Sequence, residues 1–152
     1  MNAADMIQLV VFRVGDQEFA CEILQVERVL RYEKPAPVPK APVFLEGVVP
    51  YAGGVVPVVD LRKRLELPAP IGPDVRLLLL RIDDDRVGML VDEVREILRV
   101  DSRGIAAPPP LVRGLAAVYV LGMLAQDDRT IVVLNAARLL SSTERLALQA
   151  AE

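Results

Sequence analysis

The sequence predicts an all-β fold with short helices, arranged as two small five-stranded barrels packed on each other. Three observations carry this. Hydrophobic residues make up 53% of the 152 positions, mostly Val and Leu in short runs, and Trp is absent; β-branched residues fit a pleated, half-buried strand. The runs are punctuated by turn residues and by proline-rich connectors that no helix interior tolerates. The chain also repeats itself, and five short strands bury a core only if each copy closes on itself.

Taken in order, residues 6–14 read as a strand, Gly15-Asp16-Gln17 as a turn, and residues 18–22 as the return strand. Residues 23–27 suit one helical turn and residues 28–32 are extended again. Four prolines between 33 and 42 make a stiff connector. A hairpin follows over residues 47–59. Its turn is assigned to Ala52-Gly53-Gly54, where Gly53 and Gly54 supply the positive φ that a tight hairpin needs. Asp60 is placed as N-cap of a short helix over residues 61–65. After a second connector (68–73), the apolar run 75–82 reads as a strand buried on both faces, and Asp83-Asp84-Asp85 as a turn. Residues 86–91 return, 92–96 form a short turn, and 97–101 form another strand. A third connector (107–110) leads to a strand pair over 115–125 and 130–134. Asn135 caps a helix over 136–140. Ser141 and Glu144 form a capping box for a C-terminal helix over 141–152.

The repeat is specific. Residues 12–32 align without a gap on residues 80–100, with Arg13/Arg81, Asp16/Asp84, Val26/Val94, Leu30/Leu98 and Arg31/Arg99 identical. Residues 56–65 align on 131–140, which pairs the two caps Asp60 and Asn135 and also Gly47 with Gly122. Two barrel subdomains follow, approximately residues 15–75 and 76–140, with the N-terminal strand free to cross to the other barrel.

Composition excludes several function classes. There is no His, which removes the commonest general base and metal ligand. The single Cys21 lacks partners at metal or triad spacing and suits a small buried position. No phosphate loop follows the glycines at 53–54, and the serines lack a base to activate them. No enzyme, cofactor or metal site is expected. The formal charge of −3, with three Tyr and three Phe, argues against nucleic acid. Arg62-Lys63-Arg64 reads as a solvated helix end. The N-terminus has no signal-peptide pattern and no run is long enough to cross a bilayer, so a cytoplasmic protein without direct membrane insertion is expected. What remains is a rigid β scaffold whose edges and grooves bind other proteins.

Several segments, in order, resemble the CheW-like chemotaxis adaptors. They are Gly15-Asp16-Gln17-Glu18-Phe19-Ala20 with residues 23–29, then residues 41–48, 56–64, 87–94 and 128–135. The similarity spans a single domain over residues 7–148. It implies two intertwined SH3-like five-stranded barrels and a non-catalytic adaptor that couples the cytoplasmic tip of a chemoreceptor to the regulatory domain of a histidine kinase in membrane-associated receptor arrays. It further implies a receptor-facing role for Val26 and Ile97, and kinase-facing positions at Arg28, Gly47, Tyr51, Ala52 and Leu111. Gly88 matches a glycine that permits close backbone approach. The family carries Asn-Leu-Arg-Gly where this chain has Pro50-Tyr51-Ala52-Gly53, and Arg28 stands where some members have an acid. The alternatives are a divergent scaffold that binds one of the two partners, and a small β-barrel that binds a ligand or nucleic acid.

Overall fold

The computed structural model describes residues 5–41, 43–64, 67, 72–107 and 119–139. Among these, ten strands follow in order: β1 (Met6–Val14), β2 (Gln17–Glu22), β3 (Val26–Arg31), β4 (Leu45–Tyr51), β5 (Gly54–Asp60), β6 (Arg76–Ile82), β7 (Asp85–Val91), β8 (Glu93–Asp101), β9 (Val120–Gln126) and β10 (Arg129–Leu134). Two short helices, α1 (Leu61–Arg64) and α2 (Ala136–Leu139), follow β5 and β10. The capping box at Ser141 and the helix assigned to residues 141–152 lie outside the described residues.

The strands form two five-stranded sheets. Sheet A has the order β8-β1-β2-β10-β9 and sheet B the order β3-β6-β7-β5-β4. Each half of the chain gives its first hairpin to the sheet built from the last three strands of the other half. Residues 15–75 and 76–140 therefore each contribute to both sheets. The registers obey the internal repeat. The parallel joint β2–β10 pairs Ala20 with Val133, and its counterpart β7–β5 pairs Gly88 with Val58.

Closure is also repeated. Beyond β3, Ala36 exchanges both backbone hydrogen bonds with Val48 of β4 at 2.9 Å; beyond β8, Ala106 does the same with Met123 of β9. These bridges join the two outer strands of each sheet into a ring. The connector passes so close that a Cβ on Gly47 would overlap the Ala36 carbonyl, and a Cβ on Gly122 would overlap that of Ala106. Gly47 also has φ +144°, a region that side chains avoid.

Strand alternation sorts the core into three layers. In β1, Leu9 and Val11 point into barrel A, while Phe12 and Val14 face the other barrel. In β6, Leu77 and Leu79 point into barrel B, while Leu78 and Leu80 face barrel A. Both faces of these strands are buried, which is why residues 75–82 read as a nearly unbroken apolar run. The middle layer, with Phe12, Phe19, Leu80 and Met89, joins the barrels. Cys21 belongs to it; burial, and secondarily the charge of Glu22, push its thiol up to about 12, so it stays protonated at neutral pH.

Two local assignments change. Residues 93–101 form one continuous strand, not a turn followed by a strand. A bulge at Arg95, opposite Val11 and Phe12, lets β8 continue along β1, so Asp92 alone separates β7 from β8. At the first closing hairpin, positive φ falls on Ala52 (49°) and Gly53 (82°), while Gly54 is already in β5. This places Ala52 in the left-handed region, which costs a side-chain-bearing residue about 1–2 kcal/mol. Asn-Gly is the preferred pair for such a turn. Ala52→Asn is accordingly expected to raise stability by about 0.5–1 kcal/mol, seen as a higher urea midpoint; an unchanged midpoint contradicts the strain.

Candidate protein-docking site

The apolar candidates occupy equivalent edges of the middle layer. Ile97 of β8 lies opposite Val10 of β1, on the face that carries Phe12 into the layer between the barrels. It remains 56% exposed because β8 is the outer strand and nothing pairs with its far side in this region. Val26 of β3 lies opposite Leu80 and packs, half-buried, against the same layer from sheet B. The two residues thus sit on different sheets but on the faces the barrels turn toward each other. Beyond Ile97 the surface opens into a shallow groove of about 300 Å³ lined by Met6, Ile7, Gln8 and Arg99. It continues past Glu22 and Ile23 to Leu24, a leucine with 89% exposure. An exposed aliphatic surface with a charged rim suits a protein partner.

A second group lies at the mouth of barrel B. The Glu27 carboxylate accepts two hydrogen bonds of 3.0 Å from Arg86 Nε, and the Arg86 guanidinium lies 5.8 Å from the Tyr51 ring centre. Hydrogen bonding from Arg86 is the main reason the Glu27 carboxyl is held below its ordinary range, with Tyr51 adding to it. Glu27 and Tyr51 come from β3 and β4, each one strand removed from β7, which carries Arg86 between them. Arg28 is exposed on β3 next to Glu27, and Ala52 is exposed at the hairpin tip beside Tyr51. Gly47 is buried at the Ala36 bridge, away from that surface. Leu111 lies outside the described residues.

The mouth of barrel A carries the reverse charges. Arg129 makes a two-pronged pair with Glu18 at 2.7 and 2.8 Å and also reaches Glu96 at 2.6 Å. Arg95 approaches Glu18 at 3.4 Å. The bond from Arg129 chiefly lowers the Glu18 pKa. Under the repeat Glu18 matches Arg86, Glu27 matches Arg95, and Arg28 matches Glu96. The duplicated ends have therefore become electrostatically distinct.

The structural residues are placed as follows. Asp60 Oδ1 accepts from the Arg62 amide at 2.9 Å, and Asn135 Oδ1 accepts from the Arg138 amide at 3.3 Å. Gly53 and Gly54 lie in and after the hairpin turn. A methyl group on Gly88 would find ordinary contacts, 3.8 Å from Pro57 O and Val58 Cγ2, so close approach does not demand a glycine there.

The sequence reading missed one cluster. Arg62 is not a solvated helix end: it is 3% exposed and its guanidinium pairs with the buried Asp92. Asp92 Oδ2 in turn accepts from the Gly15 amide at 2.6 Å. The available signal was Asp92 itself, a carboxylate after the apolar run Met89-Leu90-Val91, at the position where the first copy has Leu24. Among the described residues there is no cluster of metal-ligating side chains and no helix long and apolar enough to cross a membrane.

Closed barrels, distinct charged mouths and an exposed aliphatic edge define a β-barrel scaffold for protein partners. The family model described as CheW-like domain matches residues 8–144. The CheW chemotaxis protein of Rhizobium meliloti is 34% identical over 140 residues, covering 91% of this chain and 90% of the relative. That of Bacillus subtilis is 32% identical over 130 residues, covering 85% and 83%. The crystal structure of the scaffolding protein TtCheW from Thermoanaerobacter tengcongensis superposes with a TM-score of 0.83 at 27% identity, covering 91% of this chain and 90% of that one. The chain belongs to the CheW family, non-catalytic adaptors of chemotaxis signalling.

Proposed function

We propose that this adaptor couples the cytoplasmic tip of a chemoreceptor to the regulatory domain of a histidine kinase, in the cytoplasm, beneath a membrane-associated receptor array. The receptor's helical hairpin lies along the edge marked by Ile97 and Val26. The kinase domain meets the mouth of barrel B around Arg28, Tyr51 and Ala52, with Leu111 as a further contact; Gly47 supports that mouth by letting the ring close. The observation that carries the receptor assignment is Ile97, an isoleucine left 56% exposed on the sheet face that further along β1 carries Phe12 and Val14 into the inter-barrel core. Desolvating the exposed half of such a side chain stabilises a complex by roughly 1 kcal/mol.

The test is a binding assay with the receptor tip fragment and the kinase regulatory domain from the same genome. Ile97→Arg is expected to weaken receptor binding about tenfold or more while leaving kinase affinity within about twofold. The exposed position makes loss of folding an unsuitable explanation, and a retained unfolding transition checks this. If wild-type protein captures neither partner, the coupling assignment fails. If Ile97→Arg leaves receptor affinity unchanged, the receptor edge lies elsewhere.

A further inference from the structure

The internal repeat aligns β3 with β8, and each strand turns the same row of side chains toward the other barrel. Val26 matches Val94, Val29 matches Ile97, and Arg31 matches Arg99. Val26 and Val94 pack half-buried against the core layer that joins the barrels. A bulge follows in both copies, at Glu27 and at Arg95, and it keeps Val29 and Ile97 on the face of the preceding valines. These two are 44% and 56% exposed. Residues two apart share a strand face, so Arg31 and Arg99, both exposed, end the rows. The receptor edge thus has two equivalent walls, one on each barrel. Each runs from a half-buried valine through an exposed aliphatic residue to an arginine.

The charge at the ends of these rows is not balanced within the chain. Several other arginines are neutralised locally, as Arg86 is by Glu27, Arg103 by Asp101 and Arg129 by Glu18. Arg31 and Arg99 have no carboxylate partner among the described residues. The next acid along the row of Arg99 is Asp101, and Arg103 engages both of its carboxylate oxygens at 2.9–3.2 Å. The cross-strand neighbour of Arg99 is Gln8, and that of Arg31 is a second exposed arginine, Arg76. In a chain of net charge −3, unneutralised guanidinium groups at the ends of aliphatic rows complement an apolar helix stripe bordered by carboxylates.

We propose that Arg31 and Arg99 are the selectivity residues of the receptor edge: one from each barrel, they pair with carboxylates that border the apolar stripe of a single receptor hairpin. The inference rests on the assignment of that edge to the receptor and names the chemistry by which it chooses among receptors. Val29 and Ile97 accept any aliphatic stripe of suitable shape. The two arginines reject a stripe bordered by lysine or arginine, because like charges brought together across a contact repel. Arg76 adds to the positive field on the barrel B wall. Both arginines are exposed, so each pairing changes affinity modestly and is screened by salt.

The experiment titrates the full chain with a soluble helical-hairpin tip fragment of a chemoreceptor from the same genome, at low and at high salt. Arg31→Glu and Arg99→Glu are each expected to weaken binding about fivefold at low salt. The double variant loses about twenty-fivefold, since the two sites lie on different barrels and act independently. At high salt the losses shrink to about twofold or less. Arg138→Glu makes the same charge change at an exposed position on α2 and leaves the affinity within about twofold. A tip fragment whose surface carboxylates are converted to amides binds wild-type protein more weakly, and the double variant costs it no further affinity. Unfolding midpoints close to wild type exclude loss of folding as the cause. If Ile97→Arg abolishes binding while Arg31→Glu and Arg99→Glu leave it within about twofold at low salt, the selectivity assignment is overturned and the receptor edge stands. Losses that persist undiminished at high salt also overturn it. If wild-type protein binds no fragment, or Ile97→Arg binds as well as wild type, both assignments fall.

Discussion

Replacing Asp92 with alanine is expected to cost about 3–5 kcal/mol, the range for removing one partner of a buried ion pair. Arg62 is 3% and Asp92 6% exposed. Without Asp92, the guanidinium keeps only Asp60, 3.6 Å away, and its Nε and Nη1 already have no hydrogen-bond partner. The Gly15 amide loses its acceptor as well. The loss falls where the barrels join: Arg62 follows β5 of sheet B, Asp92 links β7 of sheet B to β8 of sheet A, and Gly15 turns the β1–β2 hairpin of sheet A. Since a whole domain is stable by only about 5–15 kcal/mol, the urea midpoint should fall steeply. Arg62→Met combined with Asp92→Leu is expected to recover most of the loss, as replacement of a buried pair by apolar residues of similar volume often does. A drop below about 1 kcal/mol for Asp92→Ala alone would show that the pair contributes little to joining the barrels.

That cluster marks the limit of what the sequence made legible. Strands with buried faces, such as β1 and β6, announce themselves through alternating or unbroken apolar runs, and the repeat revealed that two copies of one unit were present. The exchange of first hairpins left no local trace. Phe12 and Leu80 look alike whether their strands pair within a half or across halves, because alternation records which face is buried and not what buries it. Arg62 was misread for a related reason. Three consecutive basic residues on a short helix resemble a solvated face, and only the fold brings Asp92 from 30 residues away. In the candidate site, Val26 and Ile97 were singled out by family resemblance alone, since nothing local separates an exposed isoleucine from a core one. Glu27 and Arg86 were missed: they come from β3 and β7, which meet only across β6, and the exchange of hairpins that puts β6 between them left no local trace.

Ring closure itself is tested at Gly47. Gly47→Ala is expected to destabilise the protein by about 2–4 kcal/mol. Two costs combine. At φ +144° a side chain is strained wherever it points, and here its Cβ would also overlap the carbonyl of Ala36. That carbonyl accepts from the Val48 amide, so relief of the clash must lengthen or break the Ala36–Val48 bridge. Hydrogen exchange at the Ala36 and Val48 amides should accelerate in the variant, while Ala106 and Met123, which close the other barrel, change less. Gly54→Ala is the matched control. Its added methyl meets only Tyr51 O, at 3.9 Å, and its φ is not positive, so the effect should stay within about 0.5 kcal/mol. The comparison also separates two accounts of Gly47. As a hinge of closure, it affects kinase binding only through the disturbed mouth that holds Glu27, Arg86 and Tyr51, so lost affinity must accompany lost stability. A Gly47→Ala protein of full stability that no longer binds the kinase domain would instead make the glycine a direct contact.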